Sequence, residues 1–180
     1  MNSEEYRTQI DRLIREESGE VVLNGSHAHA AIILERMFSN ASQCMEIITR
    51  RFDPRIFGTA ETIEQAELFL GVPNRACRIL VEEINDDALA THPFWEANRR
   101  FAESGNLEIR RIPDAFHKVI NFNYAVMDDR GFRFEEDKTE AVAFARFGKD
   151  AHDFTVKLKS IFAKIWGLSI PVSLKEKQPA

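Results

Sequence analysis

The residues of this sequence best suited to chemistry are three basic pairs and two amides. Arg50-Arg51, Arg110-Arg111 and His117-Lys118 each fall at or near the end of an apolar run, and Asn121 and Asn123 follow the last pair closely. An arginine fork matches the oxygens of a phosphate. Ligands of open α/β sheets collect at the carboxyl ends of strands. Solvated charge paired with the abundant Asp and Glu is the simpler explanation for any one pair. Taken together, Arg50, Arg51, His117, Lys118, Asn121 and Asn123 are the candidate site for an anionic ligand.

Other chemistries find less support. His27 and His29 sit two apart at a helix start, where they do not share a face, and no Cys, Asp or Glu stands near enough in sequence to complete a metal site. Ser26, Ser39, Ser42 and Cys44 lack the Gly-x-Ser-x-Gly setting of a nucleophile elbow, and no glycine-rich loop cradles a phosphate. The sequence therefore calls for no metal and no cofactor. Asp128-Asp129 and Glu135-Glu136-Asp137 form an acidic hairpin end that turn chemistry and solvation explain.

The elements that must position these residues alternate. An apolar stripe of Tyr6, Ile10, Leu13 and Ile14 predicts a charged helix over residues 3–17. Its stripe must be buried against this domain's own sheet or against a second subunit. Ser26 caps a second helix to about residue 40, and a third begins near Thr59 and ends at Gly71. Strands are predicted at 45–49, 77–82 and 107–112, with Pro93 opening a helix that runs to about Ser104. Residues 119–134 read as two strands about an Asp-Arg-Gly turn, and 140–147 as a further strand. Phe154, Leu158, Ile161, Phe162, Ile165 and Trp166 mark a closing helix from Asp150. The pattern implies an α/β/α sandwich on a mixed β-sheet. Residues 1–24 form an N-terminal helix and connector, 25–168 the α/β domain and 169–180 a flexible tail.

This order of elements resembles one repeat of the phospholipase D-like superfamily, over roughly residues 26–168. The superfamily marks its site with His-x-Lys-x4-Asp. With Asp128 on the motif's Asp, Asn121 takes the His position and Asn123 the Lys position, and Glu135-Glu136 fall where Gly-Ser is common. The resemblance implies a homodimer in which two motifs meet, with a His nucleophile forming a phospho-His intermediate in active members. An Asn amide has no nucleophilic nitrogen and is no general base near neutral pH, and Asn123 brings no charge. His117 shares strand parity with the two Asn residues, but its offset of four residues corresponds to about 13 Å along a strand.

The chain's 180 residues suit one domain with a sizeable core. Net charge is −5, which argues against a broadly basic nucleic-acid binder and leaves room for a local basic patch. No apolar run approaches the roughly 20 residues of a membrane span. The polar start Met1-Asn2-Ser3-Glu4 has no secretory core, and Cys44 and Cys77 lie in strand patterns as buried free thiols. A bacterial, cytoplasmic protein without membrane contact is expected. The leading expectation is a catalytically inactive phospholipase D-like module that binds nucleic-acid phosphate or a phosphorylated ligand. The alternatives are a phosphodiesterase or nuclease using the displaced His117, and a subunit that holds a partner protein through a sheet edge or its first helix.

Overall fold

The computed structural model describes residues 2–138 and 142–172. Helix α1 (Ser3–Glu16) opens with a capping box in which Asn2 and Glu5 exchange hydrogen bonds, and closes at Glu17 in the left-handed conformation. The short strand β1 (Val22–Asn24) leads to helix α2 (His27–Asn40), capped by Ser26 as its sequence predicts. Strand β2 (Cys44–Thr49), the single-turn helix α3 (Pro54–Phe57) and helix α4 (Ala60–Leu70) follow, then strand β3 (Ala76–Val81). Three short helices, α5 (Asp86–Ala90), α6 (Pro93–Asn98) and α7 (Arg100–Glu103), lead to strand β4 (Leu107–Arg111). The chain ends with hairpin β5 (Asn123–Met127) and β6 (Gly131–Glu135), strand β7 (Ala143–Phe147), helix α8 (His152–Leu168) and strand β8 (Ile170–Pro171).

These strands form one mixed sheet in the order β1-β7-β6-β5-β2-β3-β4-β8. Strands β2, β3 and β4 are parallel, and every other pairing is antiparallel. The sandwich is lopsided. Helices α1, α2, α4 and α6 bury one face against Met45, Ile47, Ile79, Ile109, Ala125 and Met127. On the other face α8 lays Leu158, Phe162 and Ile165 over Ile48, Leu80, Tyr124, Val126 and Phe132. The stripe of α1 is buried within its own domain, with Tyr6, Ile10, Leu13 and Ile14 in the first cluster. Each such side chain removed from water contributes roughly 2 kcal/mol. Among the described residues no helix is long and apolar enough to cross a membrane.

The strand expected from residue 119 starts only at Asn123. Pro113 cannot continue the β4 ladder, and the chain instead folds into a 3-10 turn, Asp114–Phe116, whose carbonyls take the amides of His117, Val119 and Ile120. The helix expected from Pro93 to Ser104 tightens near Arg99 and divides into α6 and α7. Of the expected strand 140–147, residues 140 and 141 lie outside the described residues, as does 173–180 of the expected flexible tail. Within residues 169–172, Ile170 and Pro171 pair with Arg111 and Arg110 on β4.

Candidate anion pocket at the end of strand β2

Strand β2 delivers Arg50 and Arg51 to the carboxyl ends of the parallel strands, and β5, running antiparallel beside it, begins there with Asn123. The start of α2 and the loop into α3 close the space above them. The result is a pocket of about 350 Å³ whose polar lining includes His27, Arg50, Arg51, Arg55, Asn123 and Arg133.

Asn123 is spent on the fold at both ends of its amide. Its Oδ1 accepts from the Arg50 backbone N–H at 2.8 Å, and its Nδ2 donates to Glu135 Oε2 at 3.1 Å. The same carboxylate meets Arg133 Nη1 at 3.4 Å, while Arg133 Nε donates to Asn24 Oδ1 at 3.0 Å. Arg133 can lie buried here because Ala125 and Ala145, its neighbours across the sheet, leave room for a guanidinium. Burial pulls its pKa below the usual arginine value, and Glu135 opposes that pull.

The other cations are also paired. Glu83 holds Arg50 Nε at 2.8 Å and Arg51 Nε at 3.0 Å, and these bonds, Arg50's foremost, keep its carboxyl below the ordinary range. Asp53 caps α3 and receives the Arg55 fork, with Nη2 at 2.6 Å, so its pKa is lowered as well. His27 Nε2 stands 3.7 Å from Asp53 Oδ2. Lys138 is a structural clamp. Its ammonium reaches both Glu82 oxygens at 2.6 and 2.8 Å and the carbonyls of His117 and Ile120 at 2.8 and 2.7 Å. Every carboxylate here already has a cation, but the exposed arginines keep further N–H donors to offer an anion.

At the far end of β5, Asp128 performs a different task. Its carboxylate accepts from Ser42 N–H and Oγ at 2.9 Å each, from Gln43 N–H at 2.8 Å and from Cys44 N–H at 2.9 Å. Burial alone would raise its pKa. The hydrogen bonds from Cys44, Ser42 and Gln43 outweigh it and hold the carboxyl below the ordinary range. A carboxylate so saturated pins the hairpin turn to the start of β2 and offers nothing to a ligand.

Of the six candidate residues, the structure brings Arg50, Arg51 and Asn123 together around the pocket. The half-buried His117 lies outside that lining and donates from Nε2 to the Ile112 carbonyl at 3.1 Å. Lys118 and Asn121 are exposed and also outside it. Arg110 turns away to lie over the Trp166 ring, 4.3 Å from its centroid. The sequence reading left Asp53, Arg55, Arg133 and Lys138 out of account, and it considered His27 and Glu135 without assigning them to this site. A signal existed for Arg133, because a charge alternating with Phe132 and Phe134 must face the opposite side of the sheet. Among the described residues, no group of three or more His, Cys, Asp or Glu side chains is placed to hold a metal.

The chain belongs to the family described as Domain of unknown function (DUF7931), whose model matches residues 26–174. No curated protein matches it. Among solved structures, it is similar to TrmBL2, described as an archaeal chromatin protein with a novel mode of DNA binding. That likeness has a TM-score of 0.62 at 16% identity, covering 94% of this chain and 60% of the TrmBL2 chain. The chain thus spans less than two thirds of that relative's length. NucT from Helicobacter pylori is also similar, with a TM-score of 0.54 at 14% identity over 84% of this chain and 98% of its own. At these identities the likeness concerns the fold alone, and it supports a phospholipase D-like α/β fold for this member of the family.

Proposed function

We propose that this domain is a catalytically inactive phospholipase D-like module that binds phosphate-bearing ligands, nucleic-acid phosphates first among them, at the pocket beside β2. The observation that carries the reading is Asn123. It faces the pocket between Arg50 and Glu135, where it supplies neither charge nor nucleophile, while the arginines around it remain suited to phosphate. His117, the residue most able to restore turnover, lies outside the lining with its Nε2 on a backbone carbonyl. The DNA binding stated for TrmBL2 supports nucleic acid as the source of the phosphate. Arg50 and Arg51 would bind directly, Asn123 through the second hydrogen of its amide nitrogen, and His117, Lys118 and Asn121 would extend the contact along the neighbouring surface. Homodimerisation, which would bring two such pockets into one particle, belongs to the same proposal.

Fluorescence anisotropy with single-stranded DNA, alongside a metal-free phosphodiesterase assay on bis-p-nitrophenyl phosphate, tests this reading. Binding should weaken with salt, with a log–log slope of about −2 for three phosphate contacts. Arg50→Ala combined with Arg51→Ala should weaken it by about tenfold or more. Turnover that disappears in His117→Ala would sink the inactive reading, and binding indifferent to the arginine pair would move the site elsewhere. Sedimentation at micromolar concentration decides the dimer.

A further inference from the structure

A second and larger cavity, about 940 Å³, adjoins the anion pocket. Arg51, Asp53 and Arg55 line both, so a single loop divides them and its two arginines serve each side. Across the groove stand Ile84, Asn85, Ala88 and Pro93. The buried rings of Phe52 and His92, their centroids 4.2 Å apart, back its inner wall. Its volume is near the upper end for small-ligand sites, far more than a phosphate group alone would use.

We propose that this groove seats a nucleobase attached to the phosphate held in the neighbouring pocket, so that the ligand is single-stranded nucleic acid. The inference rests on the phosphate-binding reading and adds the part of the ligand beyond the phosphate. Three features choose the occupant. The shared arginines require an anionic group beside whatever fills the groove. The apolar surfaces of Ile84, Ala88 and Pro93, backed by the buried ring of Phe52, suit a flat, weakly polar body. The rim carries Asp53, Glu83 and Asn85, which an acyl chain would strip of water without returning a hydrogen bond. A base has polar edges for them. Asn85 spends its Oδ1 on the Ala88 N–H at 2.8 Å, which makes its Nδ2 the end a base acceptor can use.

The test compares the full chain's affinity for an oligothymidylate of about 12 nucleotides and for an abasic strand of equal length. Thymidine monophosphate, inorganic phosphate and a phosphoserine peptide serve as competitors. The abasic strand should bind about tenfold more weakly, and Ala88→Leu, a change at an exposed position that narrows the groove without adding charge, should remove most of that difference while leaving the abasic strand unaffected. A 2-aminopurine placed in the strand should be quenched on binding to the wild type and less so in Ala88→Leu. Equal affinities for the two strands, or a loss in Ala88→Leu that is the same for both, would overturn the base seat and leave the phosphate pocket standing. A phosphoserine peptide that competes as well as the oligothymidylate would also overturn it, and thymidine monophosphate competing as well as the strand would replace nucleic acid by a free nucleotide. Binding of none of these probes would end both readings together.

Discussion

At its turn end the β5–β6 hairpin holds Asp128, whose carboxylate accepts four hydrogen bonds from three consecutive residues. At its open end it holds Asn123, a single amide between the Arg50 backbone and Glu135 on the wall of a pocket. The first group is saturated by partners that cannot move without unfolding the start of β2. The second shares its pocket with the exposed guanidiniums of Arg51 and Arg55, whose carboxylate partners can be exchanged for a ligand's oxygens at little cost. Both ends carry residue types that could be mistaken for catalytic equipment. Their surroundings separate them: the turn end is an anchor, and the open end is where an anion can be accommodated.

The largest expected effect breaks this division, because the open end has an anchor of its own. Lys138 neutralises the buried Glu82 and fastens the carbonyls of His117 and Ile120. Lys138→Met would leave Glu82 buried without its cation, at a cost of about 4 kcal/mol. Urea unfolding should show that loss as a lower midpoint, with the 114–122 segment loosened in hydrogen exchange. A loss under about 1 kcal/mol would mean that the clamp is ornamental.

Somewhat smaller is the effect of Asp128→Ala, which strands three backbone N–H groups and should cost about 3 kcal/mol, or roughly 10 °C in melting temperature. The depressed native pKa fixes the pH dependence. Asp128's contribution is complete above the unfolded carboxylate value of about 3.9 and is lost as the pH falls through the lower native value. Wild type and Asp128→Ala should therefore differ most near neutrality and converge in acid. DNA binding by the folded fraction should not change. A variant that binds tenfold less while keeping its melting temperature would reverse the roles assigned to the two ends.

The hairpin was far more legible in the sequence than the pocket, although Asp128, read there as a solvated turn residue, is buried under four hydrogen bonds. Alternation of Tyr124, Val126, Phe132 and Phe134 about an Asp-Arg-Gly turn announces a hairpin, and Ser26, Thr59 and Pro93 announce helix starts that the structure retains. These signals are local, and local periodicity is what a single sequence carries. The pocket combines His27, the loop after β2, the first residue of β5 and the inner face of β6. Their meeting depends on β5 inserting antiparallel between β2 and β6, a strand order that no stretch of alternation specifies. The late start of β5 was hidden for a related reason. Residues 117–122 could extend as a strand on pattern alone, but the turn after Pro113 and Lys138, 18 residues beyond Ile120, hold them otherwise.

The smallest effect on binding sharpens the comparison most, because its sign is unusual. Glu135 is the internal counter-ion of the buried Arg133 and the acceptor for Asn123 Nδ2. Glu135→Gln keeps an amide oxygen for Asn123 but removes a negative charge from the pocket wall. Arg133 then lacks a counter-ion until a ligand supplies one, so the free protein should lose stability while its affinity for single-stranded DNA rises. A charge removed at about 10 Å, in an effective dielectric near 40, is worth roughly 0.8 kcal/mol, or about fourfold in affinity. The corresponding change at the turn end, Asp128→Asn, should lower stability with no gain in binding. Anisotropy and melting curves on the two variants, side by side at low salt, measure both quantities. Weaker binding by Glu135→Gln would show that its carboxylate helps to hold the ligand and does not compete with it, and the pocket would then favour a cationic or hydrogen-bonding partner over a phosphate.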